Sequence, residues 1–436
     1  MKPEILILMQ GSGIRELPSS YFQYQTHITD LHLSFMKTLV ALPSSICRLK
    51  SLVSLNVRGC QKLENLSEEI GDLDNLEEFD ASDTLISRLP STIVRLNKLK
   101  VLKLAGCFEY NRVHFEFLLA EGLRSLEHLD LSRCNLTDGE LPEDIGSLSS
   151  LKKWDLSRND LVALPSSICK LKSLVVLDVS ECSKLESLPE EIGDLDNLEE
   201  LNASNTLISR PPSSIVRLNK LKILKFGGFK NRAHFEFPPV AEGLRSLEHL
   251  DLSNCNLIDG GLPEDIGSLS SLKKLKLSVN NFEHLPRSIA QLVALRSLDL
   301  SYCERLTQLP EFPPELNELH VDCHMALKFI NDLVTKRKKL QRVIFPDDED
   351  DEDNAHVDTI YNLFAHALFQ KISSLRHDIS ASDFLSEKCL PFGITGRRSQ
   401  VGSTIRERIV VHQSIYLKIG IYLINSWDLL YVTMAA

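Results

Sequence analysis

The string L-x-x-L-x-L, or a close variant of it, recurs along most of the 436-residue chain. Units start at Ile28, Leu52, Leu76, Leu99, Leu126, Leu151, Leu174, Leu198, Leu221, Leu247, Leu272, Leu295 and Leu316, with successive starts 21 to 27 residues apart. So short a period leaves room for one extended segment and a return path per unit. No unit of that size can enclose its own leucines, so neighbours must stack to bury them. The unit at Leu151 shows the template: Leu151, Trp154, Leu156, Asn159, Leu161, Leu164-Pro165, Ile168 and Leu171. The first three positions predict a short strand whose alternate side chains point inward. The later Leu-Pro, Ile and Leu positions turn the chain back on the opposite side.

This is the leucine-rich-repeat signature. The expected fold is an α/β repeat, a leucine-rich-repeat solenoid or horseshoe with parallel β-strands on its concave face. A small α-containing C-terminal segment follows it. Residues 1–27 read as a degenerate first repeat or partial cap, and 28–324 as about 13 repeat units. Residues 325–396 follow the array and include an acidic linker at 347–353, with helices expected over 325–341 and 356–372 and a loop over 373–396. The tail, 397–436, is atypical and reads as disordered or edge-pairing, with strand-like pieces at 408–412 and 415–424. A second level of repetition lies over the first: 41–160 closely resembles 163–281, with ALPSSIC at Ala41–Cys47 and again at Ala163–Cys169. Solenoids tolerate tandem duplication because each unit touches only its neighbours.

The eighth residue after each start holds Cys60, Cys107, Cys134, Cys182, Cys255 and Cys303, with Asn159, Asn280, Thr84 and Thr206 in the same slot. A side chain there is expected to point inward and donate to backbone carbonyls of the adjacent coil, which suits a buried thiol or amide. No C-x-x-C pair occurs, and H-x-x-C-H at 320–324 has no second ligand pair at zinc-finger spacing. No metal or cofactor is expected. Net charge is −11 with 6% aromatic residues, so neither a basic nucleic-acid surface nor an aromatic stacking platform is indicated. No apolar run reaches the length of a membrane span. The strings NRVHFEF and NRAHFEF, at 111–117 and 231–237, fall in the longest units and read as packed convex inserts.

Between the inward leucines, the strand positions facing the concave side form two polar columns. The candidate protein-binding residues on them are Glu78, Asp80, Lys103, His128, Asp130, Lys153, Asp155, Asp178, Glu200, Asn202, Lys225, His249, Asp251, Lys274, Lys276 and Asp299. Repeat arrays use such a surface for extended contacts. No G-x-S-x-G, H-E-x-x-H or phosphate-loop motif accompanies it, so no catalytic residue is expected.

The repeats resemble the leucine-rich-repeat region of plant intracellular immune receptors of the TIR-type NLR (TIR-NBS-LRR) class. The resemblance is carried by LPSSI at 42–46 and 164–168, by LDLSRC, LDLSNC and LDLSYC at 129–134, 250–255 and 298–303, by LPEDIGSLSSL at 141–151 and 262–272, and by LTQLPEFPPELNELHVDC at 306–323. It implies that 325–396 is the start of a post-LRR domain, and it stops near Gly396. It also implies a non-catalytic protein-binding module of plant innate immunity, acting in pathogen effector recognition or in regulating a resistance protein. The implied partners are a pathogen effector, a host guardee or an NLR switch domain. NAD cleavage by the TIR domain and nucleotide switching carry over to no residue of this sequence. A cytoplasmic location is expected, with KRKK at Lys336–Lys339 as the string that would admit nuclear import. The alternative is a free-standing intracellular signalling scaffold similar to plant Ras-group LRR proteins, which calls for a fuller N-terminal cap than 1–27 offers.

Overall fold

A computed structural model describes residues 13–25, 27–106, 122–228, 233–241, 243–329, 340 and 342–344, together with the backbone of strands at 4–7, 392–395, 419–423 and 429–434. The chain divides into two compact units, Met1–Leu247 and Glu248–Ala436.

The first unit carries strands β1 (Glu4–Ile7), β2 (Ile28–His32), β3 (Ser54–Asn56), β4 (Glu78–Asp80), β5 (Val101–Lys103), β6 (His128–Asp130), β7 (Lys153–Asp155), β8 (Val176–Asp178), β9 (Glu200–Asn202) and β10 (Ile223–Lys225). Each strand pairs with the next, always parallel, and matching template positions stand opposite each other: Asp80 faces Lys103, Lys103 faces Asp130, and Asp155 faces Asp178. The leucine-rich template is therefore realised coil by coil. The start residues Leu52, Leu76, Leu99, Leu126, Leu151, Leu174, Leu198 and Leu221 are all fully buried, as are the mid-strand residues Leu55, Phe79, Leu102, Leu177, Leu201 and Leu224. Burying each such side chain contributes about 1.5–3 kcal/mol.

Opposite the strands, a proline, after leucine or after Pro211, sets up a 3₁₀ turn in several coils. Pro43, Pro90, Pro165 and Pro212 each precede one, at Ser44–Arg48, Ser91–Arg95, Ser166–Lys170 and Ser213–Arg217. Proline fixes the entry φ and has no amide to leave unpaired. The isoleucine of each turn is buried, and its carbonyl accepts from the leucine amide that ends the turn.

The second unit repeats the plan with β11 (His249–Asp251), β12 (Lys274–Lys276), β13 (Ser297–Asp299), β14 (Glu318–His320) and β15 (Arg342–Ile344), again in consecutive parallel pairs. Strand β16 (Phe392–Thr395) continues parallel to β15, and β18 (Leu429–Met434) runs antiparallel to both β16 and β17 (Ile419–Leu423). Of the helix expected over 325–341, residues 330–339 and 341 lie outside the described residues, and the start is described as part of α1 (Cys323–Lys328). The Asp322 carboxylate caps it by accepting from the Met325 amide at 2.8 Å, while its other oxygen accepts from the Tyr302 amide at 2.8 Å. Arg342-Val343-Ile344 forms a strand because the edge of β14 offers unpaired backbone groups and β-branched residues fit a pleat. The same reasoning applies to Phe392–Thr395, where a loop was expected. Residues 347–353, 356–372, 397–418 and 336–339 lie outside the described residues, so the acidic linker, the second expected helix and the KRKK string are not placed. Strand β17 falls within the expected piece at 415–424, while 408–412 lies outside.

Each coil leaves its strand through one residue in the left-handed region. Arg133, Arg158, Glu181 and Asn205 do this in the first unit, and Asn254, Val279 and Tyr302 in the second. The amide of each of the first six donates to a carbonyl of the following coil, as Glu181 does to Ser204 at 2.7 Å and Val279 to Ser301 at 2.8 Å. Left-handed backbone costs an L-residue about 1–2 kcal/mol, and a β-branched side chain fares worst. Val279 sits at φ 56° and is 45% exposed, so its side chain gains little from packing. Val279→Asn, the residue type at Asn205 and Asn254, is expected to stabilise the chain by roughly 1 kcal/mol. A urea melt that showed no gain would remove strain from this account of the coil exits.

Candidate functional site

Strand geometry orders the polar columns. In β8, Val176 and Asp178 flank a buried Leu177, and the same partly exposed, buried, partly exposed pattern marks β6, β9 and β11. Side chains alternate across a strand, so the flanking residues share the face away from the leucine core. In the first unit this brings Glu78 and Asp80, Lys103, His128 and Asp130, Lys153 and Asp155, Asp178, Glu200 and Asn202, and Lys225 onto one face over consecutive strands. In the second unit His249 and Asp251, Lys274 and Lys276, and Asp299 share a face over β11 to β13.

The columns are not a uniform solvated surface. Lys225 reaches Glu200 at 3.3 Å, and Lys276 reaches Asp251 at 3.3 Å. Asn202 donates from Nδ2 to Asp178 Oδ2 at 3.0 Å. Lys153 and Lys274 stand exposed beside these pairs. Burial holds the His128 imidazolium down in pKa, and the neighbouring Lys153 adds to that.

The aspartates have a second task that the repeat pattern alone did not reveal. Asp80, Asp130, Asp155, Asp178, Asp251 and Asp299 each accept, through Oδ1, from the amide two residues on, at 2.8 to 3.1 Å. This is an Asx turn, which bends the chain out of the strand. Asp-Leu-Ser within the strand exit was the legible signal for it. Asn56 and Asn202 do the same with their amide oxygens, at 3.0 and 3.3 Å. A change at Asp178 therefore touches the coil exit as well as the surface.

Asp155 is the most constrained of them. Burial pushes its carboxyl up in pKa, and the facing Asp130 and Asp178 push the same way, against the bonds from Ser157. With the folded pKa above the unfolded value, the penalty is absent at low pH and develops as pH rises through the folded pKa. Asp155→Asn keeps the turn acceptor and removes one like charge. It is expected to stabilise the chain at pH 7 by about 0.5 kcal/mol, with the gain vanishing toward pH 3. Thermal melts across pH test this; an equal gain at acid pH would contradict it.

The inward slot behaves as its chemistry demands. The thiols of Cys60, Cys134, Cys182 and Cys303 donate to Leu33, Leu104, Leu156 and Leu277 carbonyls of the preceding coils at 3.1 to 3.2 Å. Asn159 donates to the Leu131 and Leu156 carbonyls at 2.9 and 2.7 Å, and accepts from the Cys134 and Leu136 amides at 3.1 and 2.9 Å. Asn280 repeats this set in the second unit. Thr84 and Thr206 donate to the Ala81 and Ala203 carbonyls within their own coils, both at 2.8 Å. Cys107 lies outside the described residues. Burial pushes the Cys60 and Cys182 thiols up to about 11 and Cys303 to about 12, so these sulfurs are structural rather than nucleophilic. In the insert, Phe235 is buried and meets Phe226 at 5.4 Å between ring centroids, while His234 is exposed. The matching segment at 107–121 lies outside the described residues. Among the described residues no helix is long and apolar enough to cross a membrane.

Comparison with known proteins places this geometry. Residues 97–187 match a model described as a leucine-rich repeat region, and 185–346 match one described as disease resistance protein RPS4B-like, leucine-rich repeats. The TMV resistance protein N of Nicotiana glutinosa is 55% identical over 386 residues, which is 88% of this chain and 22% of that protein. Among solved structures, a leucine-rich-repeat protein of Leptospira interrogans is 31% identical with a TM-score of 0.59, covering 71% of this chain and 76% of that one. A TDR receptor is 25% identical with a TM-score of 0.55, covering 76% of this chain and 58% of that one. The chain spans about a fifth of the length of the curated relatives it matches.

Proposed function

Because the chain belongs to the leucine-rich-repeat proteins, with repeats of the plant disease-resistance kind, we propose that it is a non-catalytic protein-binding module of plant defence that works through its strand face. The observation that carries this reading is the division of each coil. The inward positions are filled with leucine, thiol and amide groups wholly occupied by packing and backbone bonding. The strand columns instead carry charged residues on the outward face of each strand from β4 to β9. Repeat arrays recognise extended surfaces with such a face. The partner is a protein: a pathogen effector, a host guardee, or the nucleotide-binding switch domain of a resistance protein. The site of action is the cytoplasm. The resistance-type repeats favour this reading over a free-standing Ras-group-like scaffold.

Co-precipitation of the full chain with a resistance-protein switch domain, or with an effector, tests it. Lys103→Glu combined with Lys153→Glu on the strand face is expected to abolish capture. Glu190→Lys, at an exposed position on the 3₁₀ side, is expected to leave it intact. Capture lost through the second variant and kept through the first would overturn the assignment of the face.

A further inference from the structure

The dipeptide Asp-Gly occurs twice in the sequence, at Asp138-Gly139 and at Asp259-Gly260. Both fall in the same turn of the two duplicated blocks, where NLTDG at 135–139 becomes NLIDG at 256–260. All four residues are exposed. Each glycine stands in the left-handed region, at φ +83° and +84°, and a Cβ built on either would meet nothing within 4 Å. No neighbour therefore crowds the peptide that follows either aspartate. Among the described residues neither glycine amide donates a hydrogen bond. Gly71, Gly193 and Gly267 differ, since each lies against the backbone of the next coil. An open Asp-Gly peptide has a chemistry of its own. The glycine nitrogen can reach the carboxyl carbon of the preceding side chain to close a five-membered ring, and glycine has no side chain to obstruct it.

The two carboxylates are held unequally. Asp138 Oδ1 accepts from the Val162 amide at 2.8 Å and from the Ala163 amide at 3.3 Å. Asp259 Oδ1 accepts from the matching Glu283 and His284 amides at 2.6 and 3.0 Å. Asp259 Oδ2 adds a third contact, 3.0 Å from His284 Nδ1, and Ala163, in the place of His284, has no side-chain donor. In the next coil a backbone carbonyl fills this role, where Val162 accepts from the Glu186 amide at 3.0 Å. Each aspartate side chain thus ties its own coil to the following one. It must leave its donors before it can turn toward the glycine nitrogen. Asp138 has two such bonds to give up and Asp259 three, each with a cost.

We propose that Asp138-Gly139 is a site of spontaneous backbone modification, passing through a succinimide to isoaspartate, and that Asp259-Gly260 is its slower counterpart. The Gly139 nitrogen attacks Cγ of the protonated Asp138 carboxyl. The N–Cγ bond forms, and the amide proton leaves with the carboxyl hydroxyl as water. Water then adds back to one of the two ring carbonyls. Breaking the N–Cγ bond restores aspartate. Breaking the original peptide bond leaves the chain running through Cγ, with the free carboxylate on Cα. One water leaves and one returns, so mass is unchanged and no oxidant or reductant enters. The product has one more methylene in its main chain, and its carboxylate is carried away from the Val162 and Ala163 amides. The tie between these two coils is lost with those bonds. The displaced carboxyl is the chemical group that carboxyl methyltransferases using S-adenosylmethionine act on, which names the class of enzyme that would recognise the altered chain. The turn lies outside the strand columns, so this inference is independent of the strand-face reading.

The test holds the full chain in its folded state for several weeks at physiological temperature and neutral pH. Peptide mapping with electron-transfer fragmentation then tells isoaspartyl from aspartyl peptides of equal mass and assigns each to its position. Isoaspartate is expected at both turns, accumulating about fivefold faster at Asp138 than at Asp259, the factor that one further hydrogen bond supplies. His284→Ala, at an exposed position, is expected to bring the rate at Asp259 to within about twofold of that at Asp138. Asp138→Glu keeps a carboxylate but can no longer close the five-membered ring. It is expected to leave its own position unmodified and Asp259 at its former rate. Circular dichroism melts before incubation check that each variant keeps the fold. Absence of isoaspartate at Asp138 would overturn the proposal. So would a reaction at Asp259 as fast as at Asp138, or a rate at Asp259 that His284→Ala leaves unmoved.

Discussion

Leu177→Asp is expected to unfold the middle of the first unit. Leu177 is fully buried between Val176 and Asp178 on β8, with Trp154 of β7 and Leu201 of β9 in register on either side. The substitution removes a leucine from a close-packed column, a change that alone costs about 2–5 kcal/mol when the replacement is alanine. It also buries a carboxylate in that column, beside Trp154 and Leu201. The group must either protonate or drag water into the core. Each coil is held chiefly by its two neighbours, so the loss spreads along the array rather than staying local. Circular dichroism should show reduced cooperativity and a midpoint far below that of the parent, or no folded baseline at all. Asp178→Asn, one residue away, keeps the acceptor for the Ser180 amide and is expected to shift the midpoint only slightly. Similar losses for the two variants would mean that the inward and outward positions of β8 are exchanged.

Gly193→Ala is the second large effect, and it arises on the opposite side of the coil. A Cβ built on Gly193 would lie 2.1 Å from the Ser214 carbonyl oxygen and 2.8 Å from its carbon. Both are backbone atoms of the next coil, so no side-chain rotation relieves the contact. The Gly193 amide also donates to Ser214 Oγ at 3.2 Å, a second tie between the same two coils. The coils would have to separate at the 3₁₀ side, opening the isoleucine and leucine layer beneath. Overpacking of this kind costs about 1–3 kcal/mol, and a backbone collision belongs at the upper end. The same approach recurs at Gly71 against Thr92 and at Gly267 against Ser288. Gly260→Ala provides the contrast: it meets nothing within 4 Å but sits at φ +84°, so its penalty of about 1 kcal/mol comes from backbone conformation alone. A denaturant midpoint for Gly193→Ala no lower than that of Gly260→Ala would contradict the close approach.

Much of this was legible in the spacing of the leucines. A mid-strand residue such as Leu177 can be assigned inward from sequence because its neighbours repeat every 23 to 25 residues, and a one-residue slip would expose every leucine at once. The inward cysteines were legible for the same reason, through a fixed offset from each start. What the pattern could not show was contact between coils. Nothing about the EEIGDLDNL string says that Gly193 lies under the Ser214 carbonyl, because that distance depends on how closely two turns stack. The double role of Asp130, Asp155 and Asp178 was hidden in a similar way. Each reads as an outward polar residue, and only the backbone path at the strand exit turns it into an acceptor for its own coil. The helix at Cys323–Lys328 overlaps the start of the run expected to be helical, while 330–339 and 341 lie outside the described residues.

The central claim is that partners meet the strand face. Lysine footprinting with an amine-reactive reagent measures it directly, comparing the free chain with its complex with the switch domain or effector captured above. Lys103 and Lys153, exposed on β5 and β7, are expected to lose reactivity in the complex. Lys98 and Lys170, exposed on the return path of the coils, are expected to keep theirs. Protection of Lys98 and Lys170 with Lys103 and Lys153 unchanged would place the partner on the opposite side and contradict the account.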